Sequence, residues 1–287
     1  MPGVDKKTVI GKISYTNAWP LFYYVDPQLL GTPAEMLAEV PSVLNEGMKN
    51  GDIHIGALSS FAYAEAADKL QLLPELSVSA NGSVKSILLF SRGPVESLKS
   101  GTIALTNTSA TSVNLLKILM EKALDGAPEY KTMEPDLDTM MESADAALLI
   151  GDNAIRASWY NKKYHVTDLG KWWKEWTGCS MTFAVWAVNR SAAADNPEAM
   201  AEIACMFRDS KRRSLEDLRP IVNEAISRIG GTESYWHGYF NNLCYDFNEM
   251  QQEGLRLYFK YAYELGLLKH DVTPELWKEN IVMRVKE

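Results

Sequence analysis

Four polar residues, Ser14-Tyr15-Thr16-Asn17, stand between the apolar run Val9–Ile13 and the helix-like Trp19-Pro20-Leu21. Hydroxyl and amide groups gathered where a strand hands over to a helix hold and orient small polar ligands. The same design recurs at Ser59-Ser60, at Ser109-Ala110-Thr111 ahead of the periodic Val113–Met120, and at Gly151-Asp152-Asn153 after Ala146–Ile150. Each joint offers the unpaired N–H groups of a helix start and the positive end of its dipole, and most add hydroxyl donors. That is a carboxylate or phosphate cradle with no lysine. One such loop is ordinary N-capping by Ser109 or Thr111. Repetition favours a ligand site, although it separates binding from nothing rather than catalysis from binding.

Other residues narrow the chemistry. Ser83 and Ser86 border the apolar Ile87–Phe90 with no His–Asp pair nearby, so acyl-enzyme chemistry is not expected. Ser86 reads instead as a hydrogen-bond donor or proton-relay partner. His54, His165, His237 and His270 are scattered, and no metal-ligand spacing occurs, so no metal is expected. The dinucleotide glycine pattern and the phosphate loop are both missing, which predicts no organic cofactor. Trp172, Trp173 and Trp176 either close an apolar lid or anchor a helix, with Trp172 and Trp176 as the i, i+4 pair. Lys211-Arg212-Arg213 reads as a solvated helical face.

The elements that must position these residues alternate. Strands are expected at Val9–Ser14, Ile53–Leu58, Leu76–Ser79, Val84–Ser91, Thr102–Thr106, Ala146–Ile150, Val166–Leu169 and Thr182–Val188. Between them lie expected helices at Pro20–Val25, Pro41–Asn50, Ser60–Ala66, Thr111–Asp125, Leu137–Ser143 and Gly151–Trp159. Such alternation predicts an α/β fold with mostly parallel strands. After Val188 helical periods dominate, at Asn196–Arg213, Leu215–Ile229, Ser234–Tyr239 and Asn248–Leu265, with a last short helix at Pro274–Asn280. Two strand-like segments, Ser86–Arg92 and Phe183–Asn189, look like crossings. They imply a discontinuous first lobe (1–90 and 188–287) and an inserted second lobe (91–187), the layout of type II periplasmic binding proteins. A ligand would then sit in the interlobe cleft.

Composition sets outer bounds. At 287 residues and a formal charge of −8, the chain is no coat for nucleic acid or anionic membrane. Three lone cysteines, Cys179, Cys205 and Cys244, read as reduced thiols. No apolar leader precedes Thr8, and no run is long enough to span a bilayer. The expectation is a cytoplasmic protein.

Several segments in order resemble one family. Ser14-Tyr15-Thr16-Asn17-Ala18-Trp19-Pro20-Leu21 is similar to its opening Ser-Tyr-x-Asn-x-x-Pro-Leu. Pro41-Ser42-Val43-Leu44-Asn45, Ser59-Ser60, Ser83–Ser91, Thr108–Ser112, Leu149–Asp152 and Trp173–Gly178 with Phe183–Trp186 continue in the family's order. The family is chorismate dehydratase of the futalosine route to menaquinone, on the periplasmic-binding-protein type II fold. The resemblance implies loss of water from chorismate to give 3-[(1-carboxyvinyl)oxy]benzoate, without metal or organic cofactor. It implies catalytic importance for Asn17 and Ser86. Ser14, Tyr15, Ser59, Ser60, Ser109, Ala110, Thr111 and Asp152 would bind the two substrate carboxylates. Departures occur at Gly178–Phe183, where the family more often has an apolar, proline-containing stretch, and at His54, where it often has an acid.

Two rivals stand beside this reading. The sister enzyme 1,4-dihydroxy-6-naphthoate synthase shares the fold but opens on a Ser-Pro-Cys-Pro-Asn-Asp type motif and uses a second-lobe histidine, for which only His165 is available. A non-enzymatic solute-binding protein for a small carboxylate is suggested by the fold itself.

Overall fold

A computed structural model describes residues 7–278. The leaderless stretch read from residues 1–6 and the last two residues of the expected helix Pro274–Asn280 lie outside the described residues.

The strands are β1 (Thr8–Ile13), β2 (Ala34–Glu39), β3 (Ile55–Ser59), β4 (Leu70–Ala80), β5 (Ile87–Ser91), β6 (Thr102–Thr106), β7 (Glu129–Met133), β8 (Ala146–Ile150), β9 (His165–Asp168) and β10 (Met181–Asn189). They form two five-stranded sheets, ordered β2-β1-β3-β10-β4 and β7-β6-β8-β5-β9. This is an α/β, two-lobed architecture. Strand direction differs from expectation, because both sheets are mixed. β1 runs parallel to β2 and β3, and β6 to β7 and β8. β10 is antiparallel to β3 and β4, and β5 to β8 and β9.

The reason lies in the crossings. β5 and β10 are the strands that arrive from the other lobe. Ile87, first in β5, faces Ile150, last in β8; Ala184, near the start of β10, faces Ser59, last in β3. Each crossing strand enters at the C-terminal ends of the parallel strands and must run against them. Those ends, with the helix N-termini that follow, therefore border the cleft. Strand membership also moves the changeovers from the expected 91 and 188, since β5 begins at 87 and β10 at 181. We propose lobe boundaries at 81–86 and 178–180.

Sequence reading missed β2 and β7. Both are edge strands with alternating or mostly exposed side chains, and Ala34-Glu35-Met36-Leu37-Ala38-Glu39 is made of good helix formers. Backbone pairing with β1 from Thr8↔Ala34 to Ile13↔Glu39 overrides that propensity. The far edge of β4 is covered as well. Leu72 N–H donates to the Glu275 carbonyl, Trp277 N–H to that of Leu72, and Ser79 N–H to that of Cys244. The expected helix at Pro274 is therefore extended chain through Lys278, with Leu276 bridging Leu72. A one-turn helix gains less than pairing an open sheet edge.

The helices are α1 (Trp19–Phe22), α2 (Pro41–Asn50), α3 (Ser60–Glu65), α4 (Ala110–Ile118), α5 (Leu137–Glu142), α6 (Gly151–Tyr160), α7 (Leu169–Thr177), α8 (Arg190–Asp195), α9 (Pro197–Glu216), α10 (Arg219–Ile229), α11 (Glu233–Asn242) and α12 (Glu249–Glu264). Their ends follow local chemistry. Ser59, Ser109, Asp168, Asn196 and Thr232 accept N-cap hydrogen bonds, and Pro41 and Pro197 open α2 and α9. The apolar core runs through both lobes, with Phe22, Trp186 and Phe207 packed ring to ring under the first sheet. Among the described residues no helix is long and apolar enough to cross a membrane.

Candidate active site

The opening motif becomes a turn of 3-10 helix, Thr16–Ala18, at the C-terminal end of β1. It faces the start of α6. Between them lies a cleft whose polar lining comes from Tyr15, Asn17, Ser59, Ser109 and Ser112. Its apolar walls are Ile13, Ile87, Ile150 and Phe183. Both lobes contribute. The lobes stand close together, leaving a cavity of about 30 Å³, so they must part to admit any ring-bearing ligand. Across the gap, Thr111 Oγ1 accepts from the Phe61 N–H at 2.9 Å, and Tyr258 O–H donates to the Thr111 carbonyl at 3.1 Å.

Asn17 carries the most telling atom. Its Oδ1 is buried and has no hydrogen-bond partner. An orphaned buried acceptor costs about 1–3 kcal/mol, and in a cleft it points to a donor supplied by a ligand. Ser59 caps α3 through Ala62 N–H at 3.2 Å and is set by Asn45, whose side chain donates to its hydroxyl (3.2 Å) and accepts its N–H (3.0 Å). Ser109 caps α4 by accepting from Ser112 N–H at 3.2 Å, while its hydroxyl donates to Ser112 Oγ at 3.0 Å. Tyr15 lies against Gly151, and burial pushes its phenol above the ordinary value, with a hydrogen bond to Thr108 pulling the other way.

Other expected site residues are placed differently. Asp152 follows the cleft residue Gly151, and its Oδ1 accepts from Thr16 Oγ1 at 2.5 Å and from Thr16 N–H at 3.4 Å, across the lobes. Burial raises its pKa, and the Thr16 bonds and Arg156 oppose the rise. Ser14 is exposed and faces a separate hollow with Lys12, Glu224 and Arg228. Ser60 donates to the Thr182 carbonyl at 2.8 Å within the core. Ala110 opens α4 outside the lining, and its carbonyl accepts from Asn114 Nδ2. Thr111 Oγ1 is held by the Phe61 N–H.

Ser86 is fully buried beside the cleft wall. Its hydroxyl accepts from Tyr239 O–H at 2.9 Å, and its carbonyl accepts from Gly151 N–H at 2.7 Å. Sequence reasoning gave Ser112, Asn45 and Tyr239 no individual role in this assembly, and placed Thr16 only within the opening cluster. Ser112 has a local signal, the i+3 spacing from a cap residue. Tyr239 has none, since it lies 153 residues from its partner.

Trp172, Trp173 and Trp176 are not among the residues that line the cleft, and Trp173 is fully buried, which favours the anchoring reading. His54 is structural, accepting Val9 N–H on its Nδ1 at 2.8 Å. Among the described residues no three His, Cys, Asp or Glu side chains converge on a metal-sized site.

Gly151 sits at φ +57°, and a methyl there would lie 2.8 Å from the Tyr15 ring. Gly151→Ala is expected to cost about 1–2 kcal/mol from the left-handed backbone alone. It should also push Tyr15 out of the cleft wall and raise KM. Denaturant titration and steady-state kinetics check the two effects separately.

The chain matches the family model described as menaquinone biosynthesis over residues 8–264. It is 33% identical over 276 residues to the chorismate dehydratase of Thermus thermophilus, covering 90% of this chain and 95% of that one. The 1,4-dihydroxy-6-naphtoate synthase of the same organism is 24% identical, over 84% of this chain and 88% of that one. Among solved structures, the alkanesulfonate-binding protein from Xanthomonas axonopodis pv. citri, bound to MOPS, superposes with a TM-score of 0.69 at 14% identity, covering 93% and 96% of the two chains. That last likeness is one of fold alone, and it is the fold of periplasmic binding proteins. A cleft walled by helix starts, a near-full-length family match and a relative above 30% identity agree: the chain belongs to the menaquinone biosynthesis family, together with the chorismate dehydratase of Thermus thermophilus.

Proposed function

We propose that this protein dehydrates chorismate to 3-[(1-carboxyvinyl)oxy]benzoate in menaquinone biosynthesis. The observation that carries the reading is the makeup of the cleft. Among the described residues lining it there is no carboxylate, histidine or lysine, only hydroxyls, one amide and helix N-termini between apolar walls. Its one titratable group, Tyr15, has a raised pKa and is a poor base.

So sparse a site suits a reaction whose driving force is in the substrate. Loss of the ring hydroxyl and the proton on the neighbouring, ether-bearing carbon makes a cyclohexadiene aromatic. The protein then has mainly to orient the substrate and place charge. The C–H electrons form the new ring double bond as the adjacent C–O bond breaks, and the hydroxyl leaves as water. The enolpyruvyl carboxylate of chorismate takes the proton and passes it to the departing hydroxyl, so that water leaves and the carboxylate is regenerated. As a dianion, chorismate has one hydrogen-bond donor, its ring hydroxyl, and the unpartnered Asn17 Oδ1 is the acceptor that fits it. Hydroxyls of Ser59, Ser109 and Ser112 and the starts of α4 and α6 suit the carboxylates. Ser86 directs its proton toward a carboxylate or the leaving hydroxyl.

The relative's identity, its coverage and the Asn17-containing opening support chorismate over the naphthoate route. The histidine that the latter would need, His165, is exposed on β9 opposite Ser91. Cys179, Cys205 and Cys244 are all free thiols, in keeping with the cytoplasmic location we infer.

Incubating the purified protein with chorismate and following diene loss by absorbance, with the product identified by mass, tests the reading. Aromatic product without added metal or cofactor is the expected result. Tight binding with the diene intact would make the protein a carboxylate carrier instead.

A further inference from the structure

Ser86 is placed by more than the crossing segment that carries it. We propose that Tyr239, on α11, is a positioning residue that sets the direction of the Ser86 hydroxyl, an inference that rests on the chorismate dehydratase reading.

The Tyr239 phenol donates to Ser86 Oγ at 2.9 Å from a fully buried ring. That ring cannot turn away, since Tyr235 stacks on it at 6.2 Å and Trp236 and Phe240 meet it edge-on at 5.5 Å each. Helix α11 is itself tied to the crossing segment that carries Ser86. Asn242 Nδ2 donates to the Ser83 carbonyl at 2.5 Å, and Lys85 Nζ to that of Gly238 at 3.4 Å.

A serine hydroxyl has one proton and two lone pairs. With Tyr239 donating into one lone pair, the Ser86 proton must point elsewhere. Its acceptor in this structure is the Val84 carbonyl at 3.4 Å, a long bond that a ligand oxygen readily outcompetes. Burial pushes the Tyr239 pKa well above the ordinary value, so the phenol keeps its proton throughout the neutral range, and the geometry directs that proton to Ser86. Tyr239 thereby keeps Ser86 a donor too. Without that bond the hydroxyl can turn its lone pair toward the substrate, the wrong polarity for a carboxylate.

The test is a double-mutant cycle on chorismate turnover. Tyr239→Phe retains every ring contact, so the fold is preserved. It is expected to lower kcat about tenfold, the worth of one directed hydrogen bond, with KM within about twofold. In a Ser86→Ala background the same substitution should change kcat by less than about twofold, because its effect runs through the missing hydroxyl. Tyr63→Phe is the control; its buried hydroxyl accepts from the Glu275 N–H and has no part in the Ser86 bonds, and kcat should stay at wild type. An unchanged kcat in Tyr239→Phe, or a double variant that loses the product of the two single losses, overturns the positioning role while leaving the function intact. A wild-type protein inert on chorismate overturns both.

Discussion

Asn17→Ala is expected to lower kcat on chorismate by about 10²–10³, the usual loss when one directed hydrogen bond to a reacting group is removed. The same change should leave stability unaltered or raise it slightly. Asn17 Oδ1 is a buried acceptor without a partner, so truncation removes a desolvation penalty of about 1–3 kcal/mol and breaks no bond of that atom. Activity and stability therefore move in opposite directions, which a merely structural asparagine would not do. The isosteric Asn17→Asp sharpens the test. It keeps an acceptor but sets a carboxylate beside a dianionic substrate, so KM should rise as well as kcat fall. Urea unfolding together with steady-state kinetics on the three proteins decides the matter. An alanine variant with wild-type turnover would remove Asn17 from the mechanism and leave the dehydratase assignment to stand on Ser86 and the family match.

How far the site was legible in the sequence turns on whether a residue's surroundings are local. Ser59 and Ser109 were found because N-capping acts over three residues, and each both caps its helix and lines the cleft. Their neighbours show the limit. Ser60, one residue on, turns inward to Thr182, and Ser14, one residue before Tyr15, turns outward to Lys12 and Arg228. A polar cluster read from sequence holds both sides of the chain, and only the pleat of β1 and the first turn of α3 sort them. Asp152 bonds to Thr16, 136 residues away. No local spacing encodes that contact, nor the one between Tyr239 and Ser86.

The fold shows the same division. Apolar runs that become central strands were read within a few residues. The edge strands β2 and β7 were not, because a strand paired on one side needs no apolar alternation. The sense of β5 and β10 was missed as well. It follows from the order in which the chain visits the two lobes, and that order is set by packing between distant segments.

The tryptophan cluster gives the largest expected effect on stability. Trp173→Ala should cost about 3–5 kcal/mol, the usual range for deleting a large buried aromatic side chain. Trp173 is fully buried, whereas the expected anchor pair, Trp172 and Trp176, is only partly so. Its ring meets Trp176, Tyr258 and Tyr261 edge-on at 6.0–6.3 Å, and its Nε1 donates to the Ser180 carbonyl at 3.1 Å. From the other side, α12 presses so closely on the same carbonyl that a methyl on Gly254 would lie 2.0 Å from it. Trp173 and Gly254 thus clamp the crossing segment before β10, the strand that brings Phe183 and Ala184 to the cleft. Truncating the indole leaves a cavity and an unpaired carbonyl at the point where the lobes are joined. Because Trp173 is not itself one of the residues that line the cleft, protein that remains folded should keep its kcat to within a few-fold. A variant with wild-type urea resistance but weakened chorismate affinity would show the opposite, a lid over the substrate and not an anchor beneath it.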